Sequence, residues 1–284
     1  MSAHPRTSRR RRGPTAFWNS IAMLIAVVLA FPIYWMVLTT VKSNKDLISQ
    51  HPTFWPSHFD FSSYSSAMED NFGGNLLNTV VITLGSVAIS LVVGLLAALA
   101  VARFDFRGRK PFIVAILVVQ MVPLLTILVG LLPVLNATNL YGSVLGVIAA
   151  YLIFTIPFII WTLRTYIVGI PAELDEAAMV DGCTKAQAFR RVVLPLLTPG
   201  LVSTGVFAWI QAWNEFVMAR QILAPAGNKT AMVWLTFFSS TPTHGADYGG
   251  QMAGALIIAA PVIILFTIFQ SRLSTGLTAG AVKG

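Results

Sequence analysis

The sequence predicts an all-α, polytopic membrane protein with six transmembrane helices and both termini in the cytoplasm. Hydrophobic residues make up 56% of the 284 positions and charged residues only 11%, whereas a soluble domain has about 25% charged residues. Several uncharged runs are long enough to cross a bilayer, which takes about 20 apolar residues. The basic residues gather at the ends of these runs, as expected for residues that set the orientation in a membrane.

The first uncharged run covers residues 17–41 and follows a basic tail at 1–16. A secretory signal peptide is the competing interpretation, because a basic stretch precedes an apolar one. However, the run is longer than the apolar core of a signal peptide, and no small-residue cleavage pattern follows it. We therefore predict an uncleaved first transmembrane helix behind a cytoplasmic tail.

The second span is predicted at 76–102, after an external loop at 42–75. Small residues recur in it at every fourth position, a pattern that lets membrane helices approach closely. They are Ser86, Ser90, Gly94, Ala98 and Ala102.

Residues 111–163 carry no charge over 53 positions. This length is about twice that of one span, so it predicts a helical hairpin with its turn at 136–142. Proline inside a helix bends it, so Pro123, Pro133 and Pro157 predict kinks.

The last two spans are predicted at about 199–219 and 248–270, separated by an external loop at 220–247 and followed by a cytoplasmic tail at 271–284. The membrane domain is thus expected at 17–270, with a cytoplasmic loop at 169–198. In this topology 15 of the 19 Lys and Arg residues lie on one side. The positive-inside rule assigns that side, with both termini, to the cytoplasm.

Residues 171–195 form a polar, charged segment between two apolar runs, called the polar segment below. Pro171 and the carboxylates after it favour the start of a helix. Gly182 favours a positive-φ turn that ends this helix. Thr184 and Gln187 then form a capping-box pattern for a second short helix.

Leu194 and Pro195 are expected to end that second helix, and its apolar side chains Phe189, Val192 and Val193 share one face. Nothing in the chain is obviously placed to cover this face. An amphipathic helix pair on the cytoplasmic side needs a membrane surface or a partner groove. Docking of a partner is therefore favoured over an ordinary solvated loop.

The residues that carry enzyme chemistry are poorly represented. The four histidines show no metal-binding spacing, no Gly-x-Ser-x-Gly elbow is present, and Gly227 to Thr230 lacks the Gly-Lys pair of a phosphate loop. Cys183 is the single cysteine, so no disulfide can form within the chain. The net charge of +8 reflects the ends of the spans rather than a nucleic-acid-binding face. We predict no catalytic, metal or cofactor site.

Glu215 is the one carboxylate placed within a predicted span. Gln211, Asn214, Glu215 and Met218 are spaced to share one face of a helix. Such a face lines a translocation path or forms hydrogen bonds between helices, and the sequence leaves both alternatives open. Trp209 and Trp213 on the same span are interpreted as packing or interface residues rather than sugar-stacking rings.

The polar segment also carries a specific motif. Glu176-Ala177-Ala178 is followed after three residues by Gly182, and after nine more by Val192-x-Leu194-Pro195. This pattern resembles the EAA loop of ABC importer permeases, Glu-Ala-Ala-x3-Gly-x9-Ile-x-Leu-Pro, with Val192 replacing Ile. The order of the spans, the Trp213-Asn214-Glu215 stretch and the Gly-rich C-terminus are similar to the carbohydrate-uptake branch, the MalG-like smaller permeases of maltose importers.

The resemblance implies a type I importer fold and a multi-pass subunit of the bacterial plasma membrane, embedded in lipid. It implies four kinds of partner: a second permease that completes a heterodimer, two cytoplasmic ATPases that hold ATP and Mg²⁺, an extracytoplasmic solute-binding protein, and a sugar. The coupling residues it implies are Glu176, Ala177, Ala178, Gly182, Leu194 and Pro195. The loop at 224–248 corresponds to the one that meets the binding protein.

Three alternatives stay open at this level. The chain could serve a non-sugar solute, act as a secondary transporter, or be a membrane enzyme. The scarcity of titratable groups within the spans argues against a proton-coupled transporter, and a nucleophile or metal constellation for an enzyme is lacking. The sequence does not identify the sugar, and no substrate-contacting residue is assigned.

Overall fold

Helices account for the regular secondary structure of the described residues. The structure is a computed structural model that describes residues 15–49, 51, 53–224, 227–238 and 247–279. The predicted basic tail lies outside these ranges, apart from the residues that open the first helix. The helices are α1 (Thr15–Thr40), α2 (Asn44–Leu47), α3 (Ser62–Ala67), α4 (Phe72–Arg103), α5 (Arg109–Met121), α6 (Leu124–Ala137), α7 (Val144–Val168), α8 (Glu173–Val180), α9 (Lys185–Ala188), α10 (Leu194–Trp213), α11 (Val217–Leu223), α12 (Ala231–Phe238) and α13 (Tyr248–Ala279).

Five helical stretches of the described chain are long and apolar enough to cross a membrane. They lie in α1, α4, α7, the continuous stretch Lys185–Trp213, and α13 up to Gln270. The pair α5 and α6 supplies the sixth span if its two halves are counted as one. The predicted all-α fold with six spans is therefore confirmed, with one span broken. Helix α13 continues to Ala279, so much of the predicted tail is helical.

The break between α5 and α6 bends the third span by 100°. Val122 has extended backbone angles and precedes Pro123, as expected because a proline ring disfavours the helical conformation of the residue before it. The kink predicted at Pro123 is thus confirmed as a complete break. Helices α6 and α7 continue through Pro133 and Pro157.

Helix α4 packs along α7 through the predicted small-residue stripe. Ser90 is fully buried, and its Oγ lies 2.6 Å from Oγ1 of Thr155. A Cβ atom added to Gly94 would lie 2.5 Å from Cγ2 of Ile159. The stripe therefore sets the distance between these helices, as predicted from its spacing.

Helix α10 packs between α7, α4 and α13. Trp209 and Trp213 stack with their ring centroids 4.6 Å apart and are both buried. The Nε1–H of Trp213 donates to the carbonyl oxygen of Ile258 at 3.2 Å. The interpretation of these rings as packing residues is therefore confirmed.

Candidate docking segment and membrane cavity

Helix α8 presents one face of the polar segment to its surroundings. Glu176 and Ala177 are exposed, and Val180 is 86% exposed. Ala178 is only 9% exposed, and its small side chain lets α8 lie close to the helix that follows. Two adjacent alanines of the EAA motif therefore have different environments, one facing outward and one facing the chain's own core.

The end of α8 has the hydrogen bonds of a Schellman motif. Gly182 adopts a φ of +88°. Its N–H donates to the carbonyl of Met179 at 3.1 Å, and the N–H of Cys183 donates to the carbonyl of Ala178 at 3.0 Å. Together these bonds satisfy carbonyls that the helix end would leave unpaired. The helix stop predicted at Gly182 is confirmed.

The second helix of the polar segment begins with the predicted capping box. The N–H of Gln187 donates to Oγ1 of Thr184 at 3.3 Å, and the N–H of Thr184 donates to Oε1 of Gln187 at 2.8 Å. This reciprocal pair fixes the chain direction after the glycine turn. The two caps hold α8 and α9 as a defined helix–turn–helix unit.

The prediction that Leu194 and Pro195 end the second helix is wrong. Helix α9 continues through one π-helical turn at Phe189–Val193 directly into α10. The N–H of Leu194 donates to the carbonyl of Phe189, five residues earlier. A proline ring normally clashes with the carbonyl four residues before it, and the wider π turn accommodates Pro195 within a continuous helix.

The apolar face of this helix is also less free than predicted. Val193 is buried and Phe189 is half-buried. Leu99 and Phe104, from the end of α4, share with them a groove of about 250 Å³. The end of the chain's own second span therefore lies beside this face across the groove, and the more exposed part of the polar segment is α8.

Arg103 ties α4 to the polar segment. Its Nη2 donates to the carbonyl of Ile170 at 3.0 Å, and its Nε lies 3.1 Å from Oδ2 of Asp175. The Nζ of Lys185 also lies 5.9 Å from the ring centroid of Phe104. The sequence analysis did not single out Arg103, although a cation at the C-terminus of a span opposite an acidic helix start is a usable signal.

The predicted polar face at Gln211, Asn214, Glu215 and Met218 does not form on one helix. Helix α10 ends at Trp213, and the chain turns before α11. Met218 is fully buried, whereas Gln211 and Asn214 are exposed. The grouping of Met218 with the others is therefore wrong, because the helical spacing on which it rested is interrupted.

Glu215 caps the helix that follows this break. Its Oε1 accepts a hydrogen bond from the N–H of Met218 at 2.8 Å, and its Oε2 accepts one from the N–H of Ala219 at 3.1 Å. The hydroxyl of Tyr151 donates to the Glu215 carbonyl at 3.3 Å. Glu215 is only 9% exposed, so the two N–H groups satisfy its carboxylate within the bundle.

A cavity of about 530 Å³ lies between this break and the broken third span. Gln211, Asn214 and Glu215 line it, together with Gln120 near the end of α5. Its apolar wall includes the rings of Phe154, Phe158 and Phe216. The sequence analysis missed Gln120, which a search for isolated amides within charge-free spans would have found.

These features define a multi-span helical membrane protein with a half-open cavity lined by amides and aromatic rings, and with a capped helix–turn–helix unit at the start of its fifth span. Residues 90–278, more than half of the chain, match the family described as "binding-protein-dependent transport system inner membrane component". The chain belongs to this family and is a permease subunit of an ABC importer, a multi-pass membrane protein.

Similar proteins include several uptake-system permeases. The diacetylchitobiose uptake system permease protein DasC of Streptomyces coelicolor is 39% identical over 94% of this chain and 96% of its own length. The trehalose transport system permease protein SugB of Mycobacterium tuberculosis is 34% identical over 94% and 97%, respectively. The inner membrane ABC transporter permease protein YcjP of Escherichia coli is 31% identical over 98% and 99%.

The fold is also that of a solved importer. A chain of a bacterial ABC transporter involved in the import of alginate superposes with a TM-score of 0.75 at 22% identity, covering 94% of this chain and 99% of that one. The predicted ABC importer permease fold is confirmed by this match.

Proposed function

We propose that the chain carries a sugar or glycoside across the bacterial plasma membrane as one of two different permease subunits of an ATP-driven importer. Family membership and the names of the relatives, which concern diacetylchitobiose and trehalose, support a carbohydrate cargo. The charge asymmetry of the loops supports a cytoplasmic position for both termini and for the polar segment.

The observation that carries this proposal is the exposed, doubly capped turn of the polar segment. Glu176 and Ala177 are exposed on α8, Gly182 closes its end, and Arg103 anchors its first turn to α4. A short helix that is fixed to the bundle at one side can transmit to the bundle a movement of the partner subunit that holds it. We expect it to dock in an ATPase subunit, which supplies the ATP and Mg²⁺ sites, while this chain contributes no catalytic residue.

The roles of the other coupling residues differ with their surroundings. Ala178 faces the chain's own helix, and Leu194 is half-buried within the continuous helix. They maintain the shape of the docking element, and Pro195 follows directly on the π turn that accommodates it. In the proposed assembly the ATPase touches Glu176, Ala177 and the Gly182 turn.

The cavity beside Glu215 is proposed as this chain's half of the translocation path. The amides of Gln120, Gln211 and Asn214 can donate to and accept from sugar hydroxyls, and aromatic walls suit the apolar faces of sugar rings. The second permease would close the open side. An extracytoplasmic binding protein would deliver the sugar through the loop at 224–248, of which 225–226 and 239–246 lie outside the described residues.

Uptake of labelled diacetylchitobiose or trehalose into proteoliposomes tests this function. The importer would be reconstituted with its second permease, ATPases and binding protein. We expect ATP-dependent uptake that a protonophore does not abolish. Uptake that is independent of ATP and abolished by a protonophore would instead show a secondary transporter. ATP-dependent uptake of a non-sugar solute, with neither sugar carried, would refute the proposed cargo.

A charge reversal on α8 tests the docking surface. Glu176→Lys is expected to lower the affinity for the ATPase and the rate of uptake, because it replaces an exposed carboxylate of the docking turn. Glu173→Lys is the matched control, since it makes the same charge change one turn earlier on the same helix. Equal effects of the two variants would contradict a specific role of Glu176.

A further inference from the structure

A cavity of about 510 Å³ lies at the start of α5, separate from both features described above. Arg109 and Lys110 of α5 line it together with Arg164 from the last turns of α7 and Asp105 from the preceding loop. The lining thus holds three cations and one carboxylate. None of these four residues belongs to the polar segment, and none lines the cavity beside Glu215.

Asp105 neutralises only one of these cations. It is ion-paired with Arg109. Neither Lys110 nor Arg164 forms an ion pair with another described residue, and the Nε of Arg164 is buried without a hydrogen-bond partner among them. Lys110 and Arg164 therefore line the cavity without a carboxylate to neutralise them, and their charge favours an anionic group there.

The surface that continues from the cavity along α5 is apolar and exposed. Lys110, Val114, Val118 and Met121 follow one another at helical spacing on one side of α5. Val114 is 57%, Val118 52% and Met121 82% exposed. A basic cavity that continues into an exposed apolar surface is complementary to a molecule with an anionic headgroup and a hydrocarbon tail.

We propose that this cavity binds the phosphate of an anionic phospholipid, with the acyl chains lying along the exposed stripe of α5. Lys110 and Arg164 form the cationic contacts, and Ile113 lines the transition from headgroup to tail. Clusters of basic residues at the membrane boundary favour anionic lipids by about 1 kcal/mol for each cation. Inorganic phosphate shares the headgroup chemistry but gains nothing from the stripe.

Native mass spectrometry of the assembled importer tests the site. The complex would be purified from nanodiscs of phosphatidylglycerol and phosphatidylcholine, and lipids retained after delipidation would be counted. We expect selective retention of phosphatidylglycerol. Arg164→Gln and Lys110→Gln should each reduce that retention about fivefold, corresponding to one cation.

Two control variants test whether a loss of bound lipid comes from the lost charge or from a general effect of the substitution. Arg164→Lys keeps the charge and should keep most of the retention. Arg107→Gln removes a cation from the same loop but outside the cavity lining, and should change nothing. Equal retention of phosphatidylglycerol by the wild type and Arg164→Gln would overturn the proposal, as would equal retention of phosphatidylglycerol and phosphatidylcholine by the wild type.

Competition identifies the source of the bound anion. Millimolar inorganic phosphate should leave the bound phosphatidylglycerol in place, and its complete displacement would indicate a free-anion site instead. Retention by the isolated chain but not by the assembled importer would show that a partner subunit covers this face. Either result would overturn the lipid site while leaving the proposed transport function untouched.

Discussion

The Nε of Arg103 lies 3.1 Å from Oδ2 of Asp175, joining the last residue of α4 to the first turn of α8. Both side chains are largely shielded from solvent. The same guanidinium holds the carbonyl of Ile170, just ahead of α8. The polar segment is therefore fixed to the second span as well as to the fifth, which it enters directly.

Reversing the charge of Arg103 should uncouple the importer. Arg103→Glu places two carboxylates together and removes a contact that is largely shielded from solvent, so the anchored arrangement should lose about 1–3 kcal/mol. We expect fewer sugars transported per ATP hydrolysed in proteoliposomes. The swapped pair Arg103→Glu with Asp175→Arg should recover much of the ratio.

The exposed pair of Asp105 and Arg109 provides the control for that experiment. The Asp105 side chain is 95% exposed, and exposed ion pairs contribute little. Asp105→Asn should leave the transport ratio unchanged. A swapped Arg103–Asp175 pair that performs no better than Arg103→Glu alone would show that the ion pair is not the link.

Gly182→Ala should loosen the docking turn through backbone strain alone. A Cβ atom at Gly182 would meet nothing within 4 Å, so the cost of about 1 kcal/mol comes from its positive φ. Gly182→Asn should cost less, since asparagine tolerates this conformation. The affinity for the ATPase, measured by titration in detergent, should be highest for the wild type, lower for Gly182→Asn and lowest for Gly182→Ala. Equal affinity for all three would contradict this explanation.

Gly94→Ala should destabilise the membrane bundle. Its new Cβ would lie 2.5 Å from Cγ2 of Ile159, so α4 and α7 must separate, at a cost of about 1–3 kcal/mol. A lower midpoint of thermal unfolding in detergent is expected. Gly130→Ala is the control, because nothing lies within 4 Å of its Cβ and alanine favours the helix. Equal midpoints for the two variants would contradict the close packing.

Variants at the break between α10 and α11 should distinguish residues that stabilise the fold from residues that contact the sugar. Glu215→Ala removes the acceptor of two buried N–H groups and should lower stability by about 1–3 kcal/mol. Gln211→Ala removes an exposed amide of the cavity wall and should raise the KM for uptake with unchanged thermal stability. Asn214→Ala should also raise the KM, with a small loss of stability because the Asn214 Nδ2 donates to the Ile210 carbonyl at 2.8 Å. A KM unaffected in both amide variants would argue against a translocation path at this cavity.

Local signals in the sequence predicted the parts of the structure that neighbouring residues determine. The Gly182 turn, the Thr184 capping box and the Gly94 stripe each depend on residues a few positions apart. Hydropathy placed the spans for the same reason, because a bilayer acts on each run independently. Such features can be read without knowledge of the tertiary fold.

Contacts between distant residues could not be predicted in this way. The pairing of Arg103 with Asp175 depends on where α4 ends relative to α8. The break after Trp213 depends on a carboxylate that caps the next helix rather than on a helix-breaking residue. Pro195 misled the sequence analysis because the π turn that accommodates it has no sequence signature of its own.

The uninterrupted helical stretch from Lys185 to Trp213 has 29 residues and, at 1.5 Å per residue, is about 43 Å long. In the proposed transport cycle it is the lever arm that joins the docking turn at one end to the cavity wall at the other. Its π turn, at Phe189–Val193, lies close to the docking turn, and Pro199 lies inside the α10 part of the stretch. A tilt of about 5° about Lys185 displaces Gln211, about 39 Å away, by roughly 3 Å, comparable with the length of one hydrogen bond.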